Sequence, residues 1–186
     1  FTLRHALASD VLHDISDNTA SIGLSAALDF NLSRHREYAN SLDLRLMPQY
    51  NDNLCLFVKS GGYFQSLESV RLNHLPGKVP LSVPRDLVDF GFIKSQSRWA
   101  DLPRHLVFQD AASLYQYVYR SDGIGITSML TARLNSLFTS GLLKTVSLTD
   151  TPVNLVHYIT YPMGQALSDV EADIIQQTET FYEHLN

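Results

Sequence analysis

What most constrains this chain is an alternation that runs from end to end. Short apolar stretches, rich in β-branched and aromatic residues, are separated by segments with helical spacing. Parallel strands buried on both faces read as continuous apolar runs and need crossover helices to connect them, so the alternation predicts an α/β fold. Phe1–Ala6 is the first such run. Asp10 can cap a helix that carries Val11, Leu12 and Ile15 and stops near Asn18. Residues 20–26 (ASIGLSA) then read as a buried strand, which completes a βαβ unit. Residues 41–47 alternate Leu42, Leu44 and Leu46 with Asp43 and Arg45, the pattern of a strand with one apolar and one wet face. The hydrophobic run 54–58 follows.

Between Lys59 and Gly77 the character changes, with Gly61-Gly62 and Pro76-Gly77 as breakers around a polar connection, and a lobe boundary is expected there. Beyond it the spacing predicts a strand over 79–83, a helix from Asp86 to Lys94 and a strand over 106–109. Asp110 then caps a helix in which Leu114 and Val118 share a face and Gly123 is placed to stop it. A strand over 124–129, a helix over 131–140 ended by Gly141, and strands over 144–148 and 155–161 follow. Ser168 and Glu171 form an S-x-x-E capping box, heading a last helix with Val170, Ile174, Phe181 and Leu185 at helical spacing.

Composition bounds what this pattern can become. With 186 residues, 45% of them hydrophobic and 18% charged, the chain can bury a sizeable core as one domain or two small lobes, which excludes disorder, collagen and coiled coil. No stretch approaches the roughly 20 apolar residues of a membrane span, so no membrane partner is expected. Fourteen basic against 19 acidic residues leave a net charge of −5, without a global basic field to attract a phosphate backbone. The single Cys55 excludes an intramolecular disulfide framework and suits a reducing, cytoplasmic setting. The start at Phe1-Thr-Leu-Arg lacks the regions of a signal peptide, and an upstream segment is expected to have been removed.

The chemistry-bearing motifs argue against catalysis. Cys55 lies inside an apolar strand, the setting of a structural thiol. The seven histidines are scattered without H-E-x-x-H or Cys/His ligand spacing, so neither metal nor cofactor is expected, and no nucleophile-and-base pair can be read from spacing. Arg34-His35-Arg36 reads as a solvated loop. Gly123-x-Gly125-x-x-Ser128 has the look of a dinucleotide fingerprint, but it follows a helix and opens a strand, the reverse of the order a pyrophosphate site needs. Lys59-Ser60-Gly61-Gly62 lacks the P-loop spacing and reads as a hinge or turn.

Two places could bind a ligand. Ser82-Val83-Pro84-Arg85-Asp86 leads from a strand end into a helix start and offers a hydroxyl and a guanidinium, groups suited to an organic anion. The competing reading is an exposed first turn with Arg85 paired to Asp86 or Asp89. Thr127 and Ser128 close a strand and would present hydroxyls at the carboxyl edge of a parallel sheet, where ligands of open α/β folds sit.

The segment from Ser121-Asp122-Gly123-Ile124-Gly125-Ile126-Thr127-Ser128 to Thr131-Ala132-Arg133 resembles the helix, G-x-G-I strand and helix of LysR-type transcriptional regulators. Asn18-Thr19-Ala20-Ser21-Ile22-Gly23-Leu24 is similar to their small-lobe helix and following strand. Leu54-Cys55-Leu56-Phe57-Val58 looks like their first interlobe crossing, Val70-Arg71-Leu72-Asn73-His74-Leu75 like the segment after it, and residues 155–161 like the return crossing.

The resemblance implies a non-catalytic effector-binding domain: two Rossmann-like lobes joined by two crossing strands, a type II periplasmic-binding-protein-like α/β fold. Lobe one would be 1–56 and 161–186, and lobe two 57–160. It further implies a small-molecule effector in the interlobe cleft, contact with DNA only through a separate N-terminal domain, and a homodimer or tetramer. In that assembly the helix near 10–17 would face the partner's helix near 111–120, with Tyr115, Tyr117 and Tyr119 at the contact.

The chain departs from the family pattern in lacking the winged helix-turn-helix, the linker helix, and the first strand and helix of lobe one. Ser128 stands where the family often has Pro, and residues 29–36 have no counterpart. On the matched frame, the expected ligand contacts are Ser25 and Ala26 from lobe one and Ser82, Val83, Pro84, Arg85, Phe108, Gln109, Thr127 and Ser128 from lobe two. Hydroxyls, a helix N-terminus and one Arg suit a small carboxylate-bearing metabolite. The alternatives are a solute-binding protein of a transport system and, last, a small α/β enzyme.

Overall fold

The computed structural model describes residues 2–4, 6, 8–71, 74–75, 79–85, 87, 105–149 and 154–185. It divides into two compact units, Phe1–Asn51 with Leu155–Asn186, and Asp52–Asn154.

In the first unit, helix α1 (Ala8–Ser16) buries Leu12 and Ile15. It ends where Asn18 takes the left-handed conformation (φ 57°) and packs on strand β1 (Gly23–Leu28). A Cβ at Gly23 would lie 2.3 Å from Val11 Cγ1 and 2.8 Å from Ile15 Cδ1, so only glycine admits the helix this close. The run over 20–26 therefore forms a strand three residues later than its composition suggests. That strand is antiparallel to β8 (Asn154–Pro162), in register from Gly23 opposite Thr160 to Leu28 opposite Leu155. Residues 2–4 and 6 are not in a strand, so among the described residues the expected βαβ unit is not formed.

A 3-10 turn (Asp29–Asn31) and helix α2 (Leu32–Ser41) occupy the stretch without a family counterpart, and Arg34-His35-Arg36 lies on that helix rather than in a loop. Burial, with Arg34 adding to it, lowers the pKa of His35. The two strands expected at 41–47 and 54–58 are one, β2 (Leu44–Lys59), sixteen residues long. It pairs with β8. Leu12, Ile15, Ala27, Ala39, Leu44, Leu46 and Tyr158 form the core of this unit.

In the second unit, the later half of β2 is antiparallel to both β6 (Ile124–Ser128) and β7 (Leu143–Leu148). Strands β4 (Leu81–Pro84), β5 (His105–Phe108) and β6 are mutually parallel, and the short β3 (Ser69–Val70) is parallel to β7. Helix α3 (Ala111–Ser121) covers this sheet with Leu114, Tyr115 and Val118, which meet Phe57 and Leu143 in the core.

Two helix stops differ from expectation. Asp122, not Gly123, takes the left-handed position after α3 (φ 53°). The helix expected over 131–140 is broken into α4 (Met129–Leu134) and α5 (Ser136–Thr139), because Asn135 adopts an extended conformation and accepts a hydrogen bond from Leu137 N. The helix expected over 86–94 lies outside the described residues except at Leu87. The chain closes, in the first unit, with helix α6 (Asp169–Glu183), headed by the expected capping box of Ser168 and Glu171.

Candidate functional site

The parallel register of β4, β5 and β6 brings three strand ends to one edge of the second unit. Pro84 lies opposite Phe108 in the β4–β5 ladder, and Ser82 opposite Gly125 in the β4–β6 ladder. Residues 82–85, 108–109 and 127–128, remote in sequence, therefore share the carboxyl edge, the place where open α/β sheets bind ligands.

Their burial divides them. Ser82, Val83, Thr127 and Ser128 are buried, whereas Pro84 and Phe108 are half-buried and Arg85 and Gln109 are exposed. The Ser82 hydroxyl is buried without a hydrogen-bond partner among the described residues. Thr127 Oγ1 is 2.9 Å from the Tyr115 hydroxyl. Ser128 Oγ accepts from Thr131 N at 3.1 Å and donates to Thr131 Oγ1 at 2.9 Å, capping α4. The hydroxyls of Thr127 and Ser128 thus hold the fold at this edge. The ring of Phe108 packs against Tyr117, their centroids 5.2 Å apart.

Arg85 and Gln109 meet directly: Arg85 Nη1 donates to Gln109 Oε1 at 2.9 Å. The pairing of Arg85 with Asp86 or Asp89 weighed from the sequence falls on residues that lie outside the described set. A guanidinium carries five N–H donors in a planar fork, so it can hold Gln109 and a carboxylate together.

The two helix starts beside it already carry acids. Asp110 caps α3, accepting from Ser113 N and from the Ser113 hydroxyl, both at 2.8 Å, and these bonds hold its carboxyl below the usual range. Asp52, 2% exposed, accepts from Leu130 N with both carboxylate oxygens at 3.1 Å, at the start of α4. Carboxylates at helix N-termini satisfy the positive dipole end and repel further anions. Among the described residues named at this edge, Arg85 is the cation that can attract an anion. Sequence reasoning missed Asp52. Its signal is positional: Asp52 has the same parity along β2 as the buried Leu44, Leu46, Leu54, Leu56 and Val58.

In the first unit, Ser25 and Ala26 are half-buried in β1, opposite Tyr158 and His157 of β8. Burial pushes the Tyr158 hydroxyl up to about 12, with Ser25 pulling the other way, although the phenol oxygen has no partner of hydrogen-bond geometry among the described residues.

Tyr115, expected at a subunit contact, is instead an interior residue, 4% exposed, and Tyr117 packs on Phe108. Tyr119 is half-buried beneath Lys59, whose ammonium lies 5.6 Å from the ring centroid. Cys55 is buried and its thiol is pushed up to about 12 by burial, with the Asp52 charge adding to it, so it stays protonated. Among the described residues no group of three His, Cys, Asp or Glu is placed to hold a metal, and no helix is long and apolar enough to cross a membrane.

No protein-family model matches the sequence, and no curated protein matches it at a significant level. Solved structures match closely in fold. The effector-binding domain of QuiR in complex with shikimate superposes with a TM-score of 0.69 at 12% identity, covering 96% of this chain and 79% of that one. The regulatory domain of CcmR from Synechocystis, in complex with 2-PG, gives 0.71 at 12% identity, covering 97% and 82%. HinK, a LysR family transcriptional regulator from Pseudomonas aeruginosa, gives 0.72 at 11% identity, covering 98% of this chain and 59% of that one. The chain thus has the α/β fold of LysR-type effector-binding domains, a type II periplasmic-binding-protein-like arrangement, and spans about four-fifths of the isolated domains it matches.

Proposed function

We propose that this chain is the effector-sensing part of a LysR-type transcriptional regulator and that it binds a small carboxylate-bearing metabolite. The observation that carries the reading is the pairing of Arg85 with Gln109 at the carboxyl edge of a sheet whose fold is shared with ligand-bound regulatory domains. In this reading Arg85 and Gln109 contact the ligand, Pro84 and Phe108 wall it, and buried Ser82, Val83, Thr127 and Ser128 hold the edge in shape. Ser25 and Ala26 are the contribution of lobe one. A ligand that contacts both lobes favours the arrangement to which it binds more tightly. That preference reaches DNA through a DNA-binding domain elsewhere in the longer protein, as part of a cytoplasmic homo-oligomer.

Shikimate and 2-PG, the ligands of two proteins with this fold, are the first probes, followed by other small mono- and dicarboxylates. One of them should raise the Tm and bind measurably by calorimetry. Arg85→Ala should then weaken it by about ten- to a hundredfold, the worth of a charge-assisted hydrogen bond of roughly 1.5–3 kcal/mol. Unchanged affinity in Arg85→Ala would place the site elsewhere, and preference for an uncharged or cationic ligand would overturn the carboxylate reading.

A further inference from the structure

Helix α2 turns one stripe inward. Leu32, His35, Ala39 and Leu42 follow at helical spacing, the positions at which an amphipathic helix places apolar residues. Ala39 is the one fully buried residue of α2, and Leu32 and Leu42 pack against the core of the first unit. The middle of the stripe is His35, half-buried, with its ring centroid 6.4 Å from that of Tyr158, which is 1% exposed. An aliphatic side chain would serve packing here; an imidazole instead makes the seam between α2 and the core titratable near neutral pH.

A charge on His35 is opposed by its surroundings. Arg34 and Arg36 flank it in the chain, and the core beneath it, with Ala27, Leu44 and Leu46, offers no counter-charge. The Tyr158 ring is tilted by 50° and lies beyond the roughly 6 Å within which an aromatic face holds a cation. Burial, with Arg34 adding to it, keeps the imidazole below its ordinary value of 6.5. The other ionisable groups on α2 and the elements around it are Glu37 of α2, Asp29 of the 3-10 turn, Asp10, His13 and Asp14 of α1, and Arg45 of β2, whereas β1 carries none. Two of these acids are already engaged: Asp29 Oδ1 accepts from Phe30 N at 2.7 Å, and Asp14 is paired with Arg4 at 3.0 Å. On its outer side α2 is tied to α1 by the Tyr38 hydroxyl, 2.9 Å from His13 Nε2 and exposed. A helix with one buried residue and an exposed hydrogen bond opens at low free-energy cost.

We propose that α2 is an acid-released element of the first unit: protonation of His35 undocks it from the core while the rest of the fold stays in place. The docked helix binds this proton more weakly than the undocked one. Docking is therefore complete above the ordinary value of 6.5 and is lost as pH falls below it, toward the lower value of the docked state. The proposal does not depend on which ligand binds at Arg85.

The test is amide hydrogen exchange of this chain at about pH 7.5 and about pH 5, each corrected for the intrinsic exchange rate at that pH. Protection of the Leu32–Ser41 amides should fall at least about threefold at the lower pH, while β8 and α3 keep theirs. His35→Leu keeps the stripe apolar and should leave α2 equally protected at both pH values. Tyr38→Phe removes the bond to His13 and should weaken α2 protection at both, with the response to pH retained. Protection of α2 that does not respond to pH overturns the proposal, as does an equal response in His35→Leu. Loss of the response in Tyr38→Phe overturns it too, by assigning the effect to His13. So does protection of β8 and α3 that falls in step with α2, which is unfolding of the whole chain. If His35→Leu does not fold, His35→Gln, which cannot titrate, must also abolish the response, and a response that persists there overturns the proposal.

Discussion

Replacing Thr127 by Val tests whether its hydroxyl serves the fold or the ligand. Thr127 is 5% exposed and Tyr115 4%, and their hydroxyl oxygens lie 2.9 Å apart. Valine keeps the shape of threonine but leaves the Tyr115 hydroxyl buried and unpaired, a loss of about 1–3 kcal/mol. At about 2–4 °C per kcal/mol for a chain of this size, the Tm should fall by roughly 2–12 °C. Tyr115→Phe should destabilise for the mirror reason, since Thr127 then lacks its partner. The double variant removes both polar groups, so its cost should fall short of the summed single costs by about 1–2 kcal/mol. Urea unfolding of the four proteins gives the coupling. Strict additivity would refute the reasoning, because it would mean that neither hydroxyl depends on the other. In the same set, effector affinity should change far less in Thr127→Val than in Arg85→Ala.

Gly125→Ala would place a Cβ 2.3 Å from Phe57 Cζ inside a ring that is 0% exposed, and overpacking of this kind should cost about 1–3 kcal/mol in denaturant unfolding. Asp52→Leu strands the Leu130 amide at the start of α4 and should cost about 1–3 kcal/mol, whereas Asp52→Asn keeps an acceptor and should cost less; exchange at Leu130 reads the difference directly. Cys55, its thiol pushed up to about 12, should resist iodoacetamide at pH 8 in the native state and react at once in urea, and rapid native labelling would contradict its burial. Glu171 is held below the usual carboxylate range by the hydrogen bonds of the capping box, first the one from Ser168 N. Its contribution to α6 is therefore complete above its unfolded value of 4.5 and is lost as pH falls through the lower folded value. Circular dichroism should show acid fraying of α6 below that point, with a flatter pH dependence in Glu171→Gln.

How much could be read in advance follows from how local each interaction is. The capping box of α6 lies three residues apart, and the Leu114–Val118 face of α3 four apart. Helix geometry alone brings such residues together, so their spacing was sufficient. The apolar runs that became β4, β5, β6, β7 and β8 were legible to within about two residues because short stretches rich in β-branched and aromatic residues, bounded by turn residues, favour strands. The LysR-type pattern was legible as an order of such pieces, and the fold comparison agrees with it.

Tertiary structure decided the rest. The strands expected at 41–47 and 54–58 leave out the polar stretch Pro48–Asn53, yet β2 passes through it unbroken. The partners of β2, strands β8, β6 and β7, lie far away in the chain, and the stretch's own propensity does not reveal them. Asp122 took the left-handed position that glycine chemistry would assign to Gly123. Arg85 and Gln109 stand 24 residues apart and meet only because β4 and β5 pair in one particular register, from Leu81 opposite His105 to Pro84 opposite Phe108. A hydroxyl such as that of Thr127 is chemically the same whether it faces a ligand or Tyr115. Sequence supplies the donor and acceptor, and only the packing of elements far apart in the chain decides which of them are already satisfied and which remain for a partner.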